Sequence, residues 1–359
     1  MAPAPKRPPA AAAAAEPYFP AELIPGIARH LTSLQDFFAL RAACRPYRAA
    51  LPPSRAALAA QPPHLLVPHA SGGLALLHLP TRRLLRFRFH SRDAAGPSCA
   101  SLLASDGARV VAFDRFTREL AVTHLLSGER ALLPDAPFLF SRAVLAGDLV
   151  LLTAPGWVQY CRLGDAQWRG ACCRIADGGN CHHGISSNDL HMMVGMRSVS
   201  GVLYVLFNTC RLAVAELLED KAELVLLGGE VDEHVRDAWM ESKDFMLGEC
   251  AGEPLLIFKA SAKPAYKVFQ WESGEERWVR TMSLGRQTLF MSGNVFDACL
   301  GPDTPGIRGD CIYEALPQAA GWSEYSLVDG TCEIMTAEYQ GAPEVGVSRS
   351  QFWVFPSLC

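Results

Sequence analysis

The stretch YKVFQWESGEERWVRTM (residues 266–282) has the pattern of a β-hairpin. Tyr, Val, Phe and Trp dominate the run before Ser273-Gly274, and a second run with Trp278 and Val279 follows directly. Aromatic and β-branched residues on both sides of a Gly-containing turn signal are typical of two antiparallel strands joined by a short loop. The stretch therefore predicts two strands that pair across Ser273-Gly274.

The same pattern, a turn signal between two apolar runs, recurs along most of the chain. The turn signals fall at 80–82, 127–128, 164–165, 219–220, 273–274 and 329–330. Their spacing of roughly 40 to 55 residues is typical of the blades of a propeller. One blade cannot bury both of its faces alone, whereas a ring of blades buries them all. We therefore expect a mainly β chain with a six-bladed β-propeller; a large β-sandwich, which needs no repeat, is the alternative.

The last apolar run supports a closed ring. QFWVFP (351–356) has the composition of a strand, and we expect it to pair with HLLVP (64–68), the first such run. Pairing of the two ends removes the free sheet edge that an open ring would expose.

Residues 17–51 differ from the rest, because their apolar residues follow a helical period. The first stripe consists of Leu23, Ile24, Ile27 and Leu31. A second helix is predicted to begin at Ser33, which forms a capping-box pattern with Asp36, and to end before Pro46, which has no N–H to donate. Prolines at 52–53 and 62–63 mark a boundary. We expect a disordered Ala/Pro-rich tail at 1–16, a helical module at 17–58 and the propeller at 63–358.

The helical module has more apolar side chains than a hairpin of about 35 residues needs for its own core, and such a surplus is typical of a partner-binding surface. Aromatic residues often anchor such surfaces. The candidate partner-binding residues are Phe19, Pro20, Leu23, Ile27, Leu31, Leu34, Phe38, Leu40, Cys44 and Tyr47. The alternative is that these helices pack on the propeller as a brace.

Composition narrows the classes of function. The net charge is −4, with 12 Lys/Arg against 4 Asp/Glu in residues 1–100 and 21 against 33 in the remainder. A basic front end favours an acidic partner, but the arginines are scattered and accompany no nucleic-acid-binding motif, so we expect no nucleic-acid partner. No apolar run reaches the length of a membrane span. Twelve cysteines without a repeated spacing indicate free thiols, and we expect the nucleus or the cytoplasm.

The residues capable of chemistry form no recognisable catalytic or metal-binding motif. The densest group of zinc-type ligands lies in CCRIADGGNCHHGISSNDLHMM (172–193), and it comprises Cys172, Cys173, Cys181, His182, His183 and His191. Their spacing does not match structural zinc sites, so we expect a loop without a metal. Nucleophile-elbow and phosphate-loop motifs are missing from the sequence. We therefore expect no enzyme and no cofactor, and we expect most of the seven tryptophans to pack between blades, with one or two on a recognition face.

Three segments together resemble a known family. They are DFFALRAACRPYRAAL (36–51), LLSGERALLPDAP (125–137) and MSLGRQTLFMSGNVFDACLGPDTPGIRGDCIYEAL (282–316). The first is similar to the end of an F-box, and the other two are similar to recurring segments of the KIB-type β-propeller. The chain thus resembles the plant F-box proteins with a KIB-type propeller, a family common in grasses, over nearly all of residues 17–358.

This resemblance implies a non-enzymatic substrate-recognition subunit of an SCF-type E3 ubiquitin ligase. The F-box would dock on a Skp-type adaptor through the ten residues given above, a cullin and a RING protein would join through the adaptor, and the propeller would bind a protein substrate at residues that the sequence does not identify. Two alternatives stay open: a propeller enzyme of the hydrolase or lyase kind with a helical brace, and an F-box scaffold that recruits no cullin.

Overall fold

The structure has a ring of six β-sheet blades with a short helical region at its N-terminal end. It is a computed structural model that describes residues 18–68, 74–89, 100–114, 117–136, 140–154, 157–175, 193–218, 221–261, 265–316, 321–337 and 351–358. The expected tail at 1–16 lies outside these residues. The mainly β, six-bladed propeller is confirmed, and the β-sandwich alternative is wrong.

The helical region is more divided than the sequence predicts. A 3₁₀ turn at Ala21–Leu23 leads into α1 (Ile24–Ala28), and α2 (Leu34–Ala43) and α3 (Arg45–Ala50) follow. Ser33 does precede α2, but its hydroxyl makes no capping hydrogen bond, so the predicted capping box does not form. Cys44 is extended and ends α2, and Pro46 lies in the first turn of α3, where a missing N–H costs nothing.

Blades 1 to 3 follow one another along the chain. Blade 1 consists of β1 (His64–Pro68), β2 (Leu74–His78), β3 (Arg83–Phe89) and, from the C-terminal end, β25 (Phe352–Val354). Blade 2 consists of β4 (Ala100–Asp106), β5 (Arg109–Asp114), β6 (Leu120–His124) and β7 (Arg130–Leu132). Blade 3 consists of β8 (Arg142–Ala146), β9 (Leu149–Ala154), β10 (Trp157–Arg162) and β11 (Arg169–Ile175).

Blades 4 to 6 complete the ring. Blade 4 consists of β12 (Met193–Val199), β13 (Val202–Phe207), β14 (Leu212–Leu217) and β15 (Lys221–Leu227). A helix, α4 (Glu233–Glu241), precedes blade 5, which consists of β16 (Ser242–Cys250), β17 (Glu253–Ala260), β18 (Tyr266–Glu272) and β19 (Arg277–Thr281). Blade 6 consists of β20 (Thr288–Ser292), β21 (Val295–Leu300), β22 (Cys311–Ala315), β23 (Gly321–Ser326) and β24 (Cys332–Thr336), and the 3₁₀ turn Pro356–Leu358 follows β25.

The ring closes as the sequence predicts. β25 pairs antiparallel with β1, with Leu65 opposite Trp353. Trp353 is fully buried, and its indole N–H donates to the carbonyl of Met291 at 3.0 Å. The C-terminal strand therefore ties blade 1 to blade 6.

Two features of the sheets depart from six regular blades. The outermost strands of blades 3 and 4, β11 and β15, pair in parallel, so the two blades share one eight-stranded sheet. In blade 6, β20 lies between β21 and β22 and pairs in parallel with β22, which gives five strands.

The core consists of six apolar clusters that fill the spaces between neighbouring blades. One of them, between blades 1 and 2, also contains side chains of the helical region. Of the tryptophans, Trp271, Trp278, Trp322 and Trp353 are buried in these clusters, as expected.

Candidate functional site

The helical segment (residues 18–58) is held on the propeller by its apolar face. Ile24, Leu34 and Phe37 are fully buried, and they share a cluster with Leu66 of β1 and Leu76 of β2. Burial of a large apolar side chain stabilises by roughly 1.5–3 kcal/mol. The segment therefore braces blades 1 and 2, as one of the sequence-based alternatives expected of it, and it is fixed to the ring.

Hydrogen bonds fix the segment internally and to the propeller. The Tyr47 hydroxyl accepts a hydrogen bond from the Phe19 N–H at 2.7 Å and donates to the Phe19 carbonyl at 3.1 Å. His78 of β2 lies 3.2 Å from the carbonyl of Thr32, and because a carbonyl only accepts, the proton is on Nε2. The Gln61 amide donates to the carbonyl of Leu31. These bonds orient α1 and the chain before it relative to the propeller.

The ten candidate partner-binding residues fall into three groups. Phe19, Pro20, Leu23 and Ile27 are exposed. Leu31, Phe38, Leu40 and Cys44 are half-buried against the cluster between blades 1 and 2. Leu34 and Tyr47 are buried within the chain. In this conformation, only the exposed and half-buried groups offer surface to a partner, and Leu34 and Tyr47 position them.

The exposed residues form an N-terminal apolar patch, which we define as Tyr18, Phe19, Leu23 and Ile27. Their exposed fractions are 89%, 43%, 55% and 36%. The ring of Tyr18 meets that of Phe19 edge to face at 4.7 Å between centroids. Tyr18 was missed by the sequence reasoning, although it directly precedes the Phe19-Pro20 pair that began the helical pattern. Exposed apolar side chains that are grouped in this way are typical of an interaction site.

Exposed arginines lie on the same segment as the patch. Arg29, Arg45, Arg48 and Arg55 are exposed on the helical segment. Among the described residues, no ion pair joins any of these four guanidinium groups to a carboxylate. An acidic partner surface would therefore find unneutralised cations on the segment that carries the apolar patch.

The helical segment lies at one face of the ring and the exposed tryptophans lie at the other. Ala108, which packs on the segment, lies in the two-residue turn that follows the end of the innermost strand β4. Trp239 on α4 precedes the start of the innermost strand β16, and Trp157 starts β10, which runs parallel to β8. Their exposed fractions are 39% and 53%, and that of the neighbouring Met240 is 75%. We call the face with Trp157, Trp239 and Met240 the distal face.

A central channel of about 470 Å³ is lined by the inner strands β4, β8, β12, β16 and β21. Arg197 of β12 donates to the carbonyls of Phe296 and Asp297 at 2.9 and 3.3 Å, and it lies 3.6 Å from the Glu249 carboxylate. The guanidinium also stacks 4.2 Å from the centre of the Phe296 ring. Arg197 thus joins blade 4 to blades 5 and 6 across the channel.

Asp297 is the most perturbed acid in the channel. Ser105 donates to its carboxylate at 2.9 Å and Ser292 also donates, and burial raises the pKa of this carboxyl to about 7. The described lining residues include no His, Cys or Lys, so they assemble no nucleophile with a histidine base. The contacts of Asp297 join strands of blades 2 and 6, which is a structural role.

The expected loop at 172–193 is only partly described. Cys172 and Cys173 lie on β11, and Cys181, His182, His183 and His191 lie outside the described residues. Within the part of the chain that the structure describes, no three His, Cys, Asp or Glu side chains are grouped closely enough to hold a metal ion. None of the described helices is both long and apolar enough to cross a membrane.

Comparisons with known proteins bear on the propeller. No protein of curated function matches the chain. Among solved structures, a chain from S. cerevisiae Dbp5 bound to Nup159, Gle1, IP6 and ADP is similar at 8% identity and a TM-score of 0.37, over 75% of this chain and 85% of that one. Kluyveromyces marxianus Hsv2 is similar at 14% identity and a TM-score of 0.35, over 62% of this chain and 67% of the Hsv2 chain. The computationally designed Ika8 protein is similar at 11% identity and a TM-score of 0.34, over 80% of this chain and 73% of the Ika8 chain.

These structural similarities are too weak to bear on function. The family comparison is informative, because residues 76–334, more than half of the chain, match the KIB1-4 beta-propeller family. This match begins in β2 and ends in β24, so it takes in strands of all six blades. The chain belongs to the KIB1-4 beta-propeller family.

Proposed function

We propose that this protein is the substrate-recognition subunit of an SCF-type E3 ubiquitin ligase and acts in the nucleus or the cytoplasm. In this proposal the helical segment is an F-box that binds a Skp-type adaptor, and a cullin and a RING protein join through the adaptor. The observation that carries the proposal is the N-terminal apolar patch. It is exposed on a three-helix segment that resembles an F-box in sequence, and this segment is fixed to a KIB1-4 beta-propeller.

Charge and geometry support this role for the helical segment. The four exposed arginines of the helical segment, which pair with no carboxylate among the described residues, favour an acidic adaptor surface. Because the other side of the segment is buried between blades 1 and 2, a bound adaptor would be held in a fixed orientation to the ring. The substrate would bind the distal face, which carries the exposed Trp157, Trp239 and Met240, because large apolar side chains are frequent interface anchors.

The first test is co-purification with a Skp-type adaptor. Leu23→Asp and Ile27→Asp place a charge in the patch at exposed positions, and we expect each to reduce adaptor capture at least tenfold. Leu31 is a poorer choice, because it packs against the propeller cluster and its substitution would also disturb the fold. Met240→Asp, which changes an exposed apolar residue on the distal face, is the matched control and should retain adaptor binding. Undiminished capture by both patch variants would overturn the proposed docking surface.

The proposed substrate-binding surface is tested with variants of the distal face. Proximity labelling in cells, with and without proteasome inhibition, identifies proteins that accumulate near the ligase only when degradation is blocked. Met240→Asp and Trp239→Ala should lose that labelling while they keep the adaptor. A substrate that is retained by both distal-face variants would show that another surface recognises it.

A second candidate function, an F-box scaffold that recruits no cullin, differs in one measurement. Both functions predict adaptor binding through the patch, but only the ligase subunit brings down a cullin with the adaptor. Adaptor without cullin in the precipitate would favour the scaffold. The propeller-enzyme alternative has weaker support, because the polar residues described in the channel are engaged with neighbouring strands.

A further inference from the structure

A pair of thiols lies between blades 5 and 6, and neither belongs to the N-terminal apolar patch or to the distal face. Cys250 is the last residue of β16, and Cys299 is the fifth residue of β21. Both are free thiols. Each donates a hydrogen bond to the same acceptor, the Gln287 side-chain oxygen, at 3.2 Å from Cys250 and 2.9 Å from Cys299. The two sulfurs therefore cannot be further apart than the sum of those two distances.

The environment of the pair favours reaction at Cys250. Each thiol has a single proton, and when Cys299 turns its proton from Gln287 to the Cys250 sulfur, that hydrogen bond lowers the pKa of Cys250. The same contact raises the pKa of Cys299. One sulfur with more thiolate character beside a second thiol is the arrangement by which oxidation-sensitive pairs form a disulfide. Cys250 is buried and Cys299 is half-buried, so a small oxidant has access from the Cys299 side.

We propose that Cys250 and Cys299 are an oxidation site at which a peroxide forms a disulfide between blades 5 and 6. The Cys250 thiolate attacks one oxygen of hydrogen peroxide, which breaks the O–O bond and leaves a sulfenic acid and, after proton uptake, water. The Cys299 sulfur then attacks the sulfenic sulfur, and the hydroxyl leaves as a second water with the Cys299 proton. In sum, two thiols and one peroxide give one disulfide and two waters.

The disulfide has a local consequence in blade 6. Gln287 loses both of its thiol donors, while its N–H and carbonyl remain bonded to Leu284 and Asp310. Asp310 in turn accepts from the backbone N–H groups of Leu284 and Arg286. The loop at 283–287 is therefore the segment most directly linked to the oxidation state of the pair, and two innermost strands become covalently joined.

The experiment treats the purified full-length chain with hydrogen peroxide under native conditions and then alkylates all remaining thiols in denaturant. Of the twelve cysteines, the oxidised protein should show two fewer alkylations than the reduced protein, and peptide mapping should recover a peptide linked through Cys250 and Cys299. Cys250→Ser and Cys299→Ser should each abolish that linked peptide. Cys332→Ser, which removes a half-buried thiol of β24, is the matched control and should retain it.

Oxidation of the exposed Met240 to its sulfoxide serves as an internal sign that the oxidant reached the protein. If Met240 is oxidised while Cys250 and Cys299 are both recovered alkylated, the proposal is wrong. Linkage of either cysteine to a different thiol, or conversion to sulfinic acid without linkage, would overturn it as well. The wild-type mapping decides the question even if a serine variant does not fold.

Discussion

Replacement of Asp297 by Asn should make the protein more stable than the wild type at alkaline pH. At acidic pH the two proteins should be nearly equal in stability. Asp297 is only 4% exposed, and burial raises the pKa of its carboxyl from 3.8 to about 7. Between these two values the folded protein holds a proton that the unfolded chain has released. The contribution of Asp297 to stability therefore falls as the pH rises through this window, and it is level above pH 7. The pKa of Asp297 differs by about 3 units between the folded and unfolded states, which corresponds to about 4 kcal/mol in the free energy of unfolding.

Asn reproduces the protonated form of the side chain. Its carbonyl oxygen accepts from one serine, its amide donates to the other, and the hydroxyls of Ser105 and Ser292 serve in either role. We expect the free energy of unfolding of Asp297→Asn, minus that of the wild type, to rise by up to about 4 kcal/mol between pH 4 and pH 8. Other groups titrate alike in both proteins, so this difference isolates Asp297.

The assay is urea unfolding followed by tryptophan fluorescence at half-unit steps of pH, in constant ionic strength. Asp148→Asn, which removes an exposed carboxylate of blade 3, controls for the loss of one negative charge. A difference between Asp297→Asn and the wild type that stays constant from pH 4 to pH 8 would refute the reasoning, because it would mean that the carboxyl is ionised throughout in the folded protein.

Four further changes test the packing. Phe37→Ala empties a fully buried site between the helical segment and blades 1 and 2, so it should cost about 3–5 kcal/mol and increase proteolysis within 51–63. Tyr47→Phe removes both hydrogen bonds to Phe19, and hydrogen exchange at the Phe19 amide should accelerate as the anchor weakens by about 1 kcal/mol. Gly321→Ala would drive its Cβ into the carbonyl of Met335 and should cost about 1–3 kcal/mol in urea unfolding. Burial, and then His78, lower the pKa of His64 to about 3, so folded His64 stays neutral where the unfolded chain is protonated. The contribution of His64 to stability should therefore fall by about 1.4 kcal/mol per unit as the pH drops below 6.5, opposite in sign to that of Asp297, and His64→Phe should remove this contribution.

The repeat could be predicted from the sequence because its signal is local. Each of the six turn signals falls between the last two strands of one blade, as at 273–274 between β18 and β19. The signal at 219–220 lies outside the described residues, between β14 and β15. A turn and its flanking strands are adjacent in sequence, and the residues that specify them are visible without knowledge of the fold.

The irregular features depend on contacts between distant residues. The parallel pair β11 and β15 joins two blades through their outermost strands, and no local pattern in either strand specifies that partner. The hydrogen bond between Ser105 and Asp297 joins residues 192 positions apart. The apolar stripe of the first helix likewise indicated burial without showing against what: Ile24 faces the propeller, whereas Leu23 and Ile27 face solvent.

The division of that stripe links the fold to the proposed function. Ile24 and Phe37 belong to the same cluster as Val354 of β25, the strand that closes the ring. The helical segment, the first strand and the last strand are therefore stabilised together, and loosening one of them weakens the contacts of the others. A segment joined only by a linker would leave the N-terminal apolar patch free to change its orientation relative to the distal face. Here the shared core fixes the two surfaces on opposite faces of one ring. A ligase subunit needs that arrangement, because a substrate held on one face must stay at a constant distance from an enzyme recruited on the other.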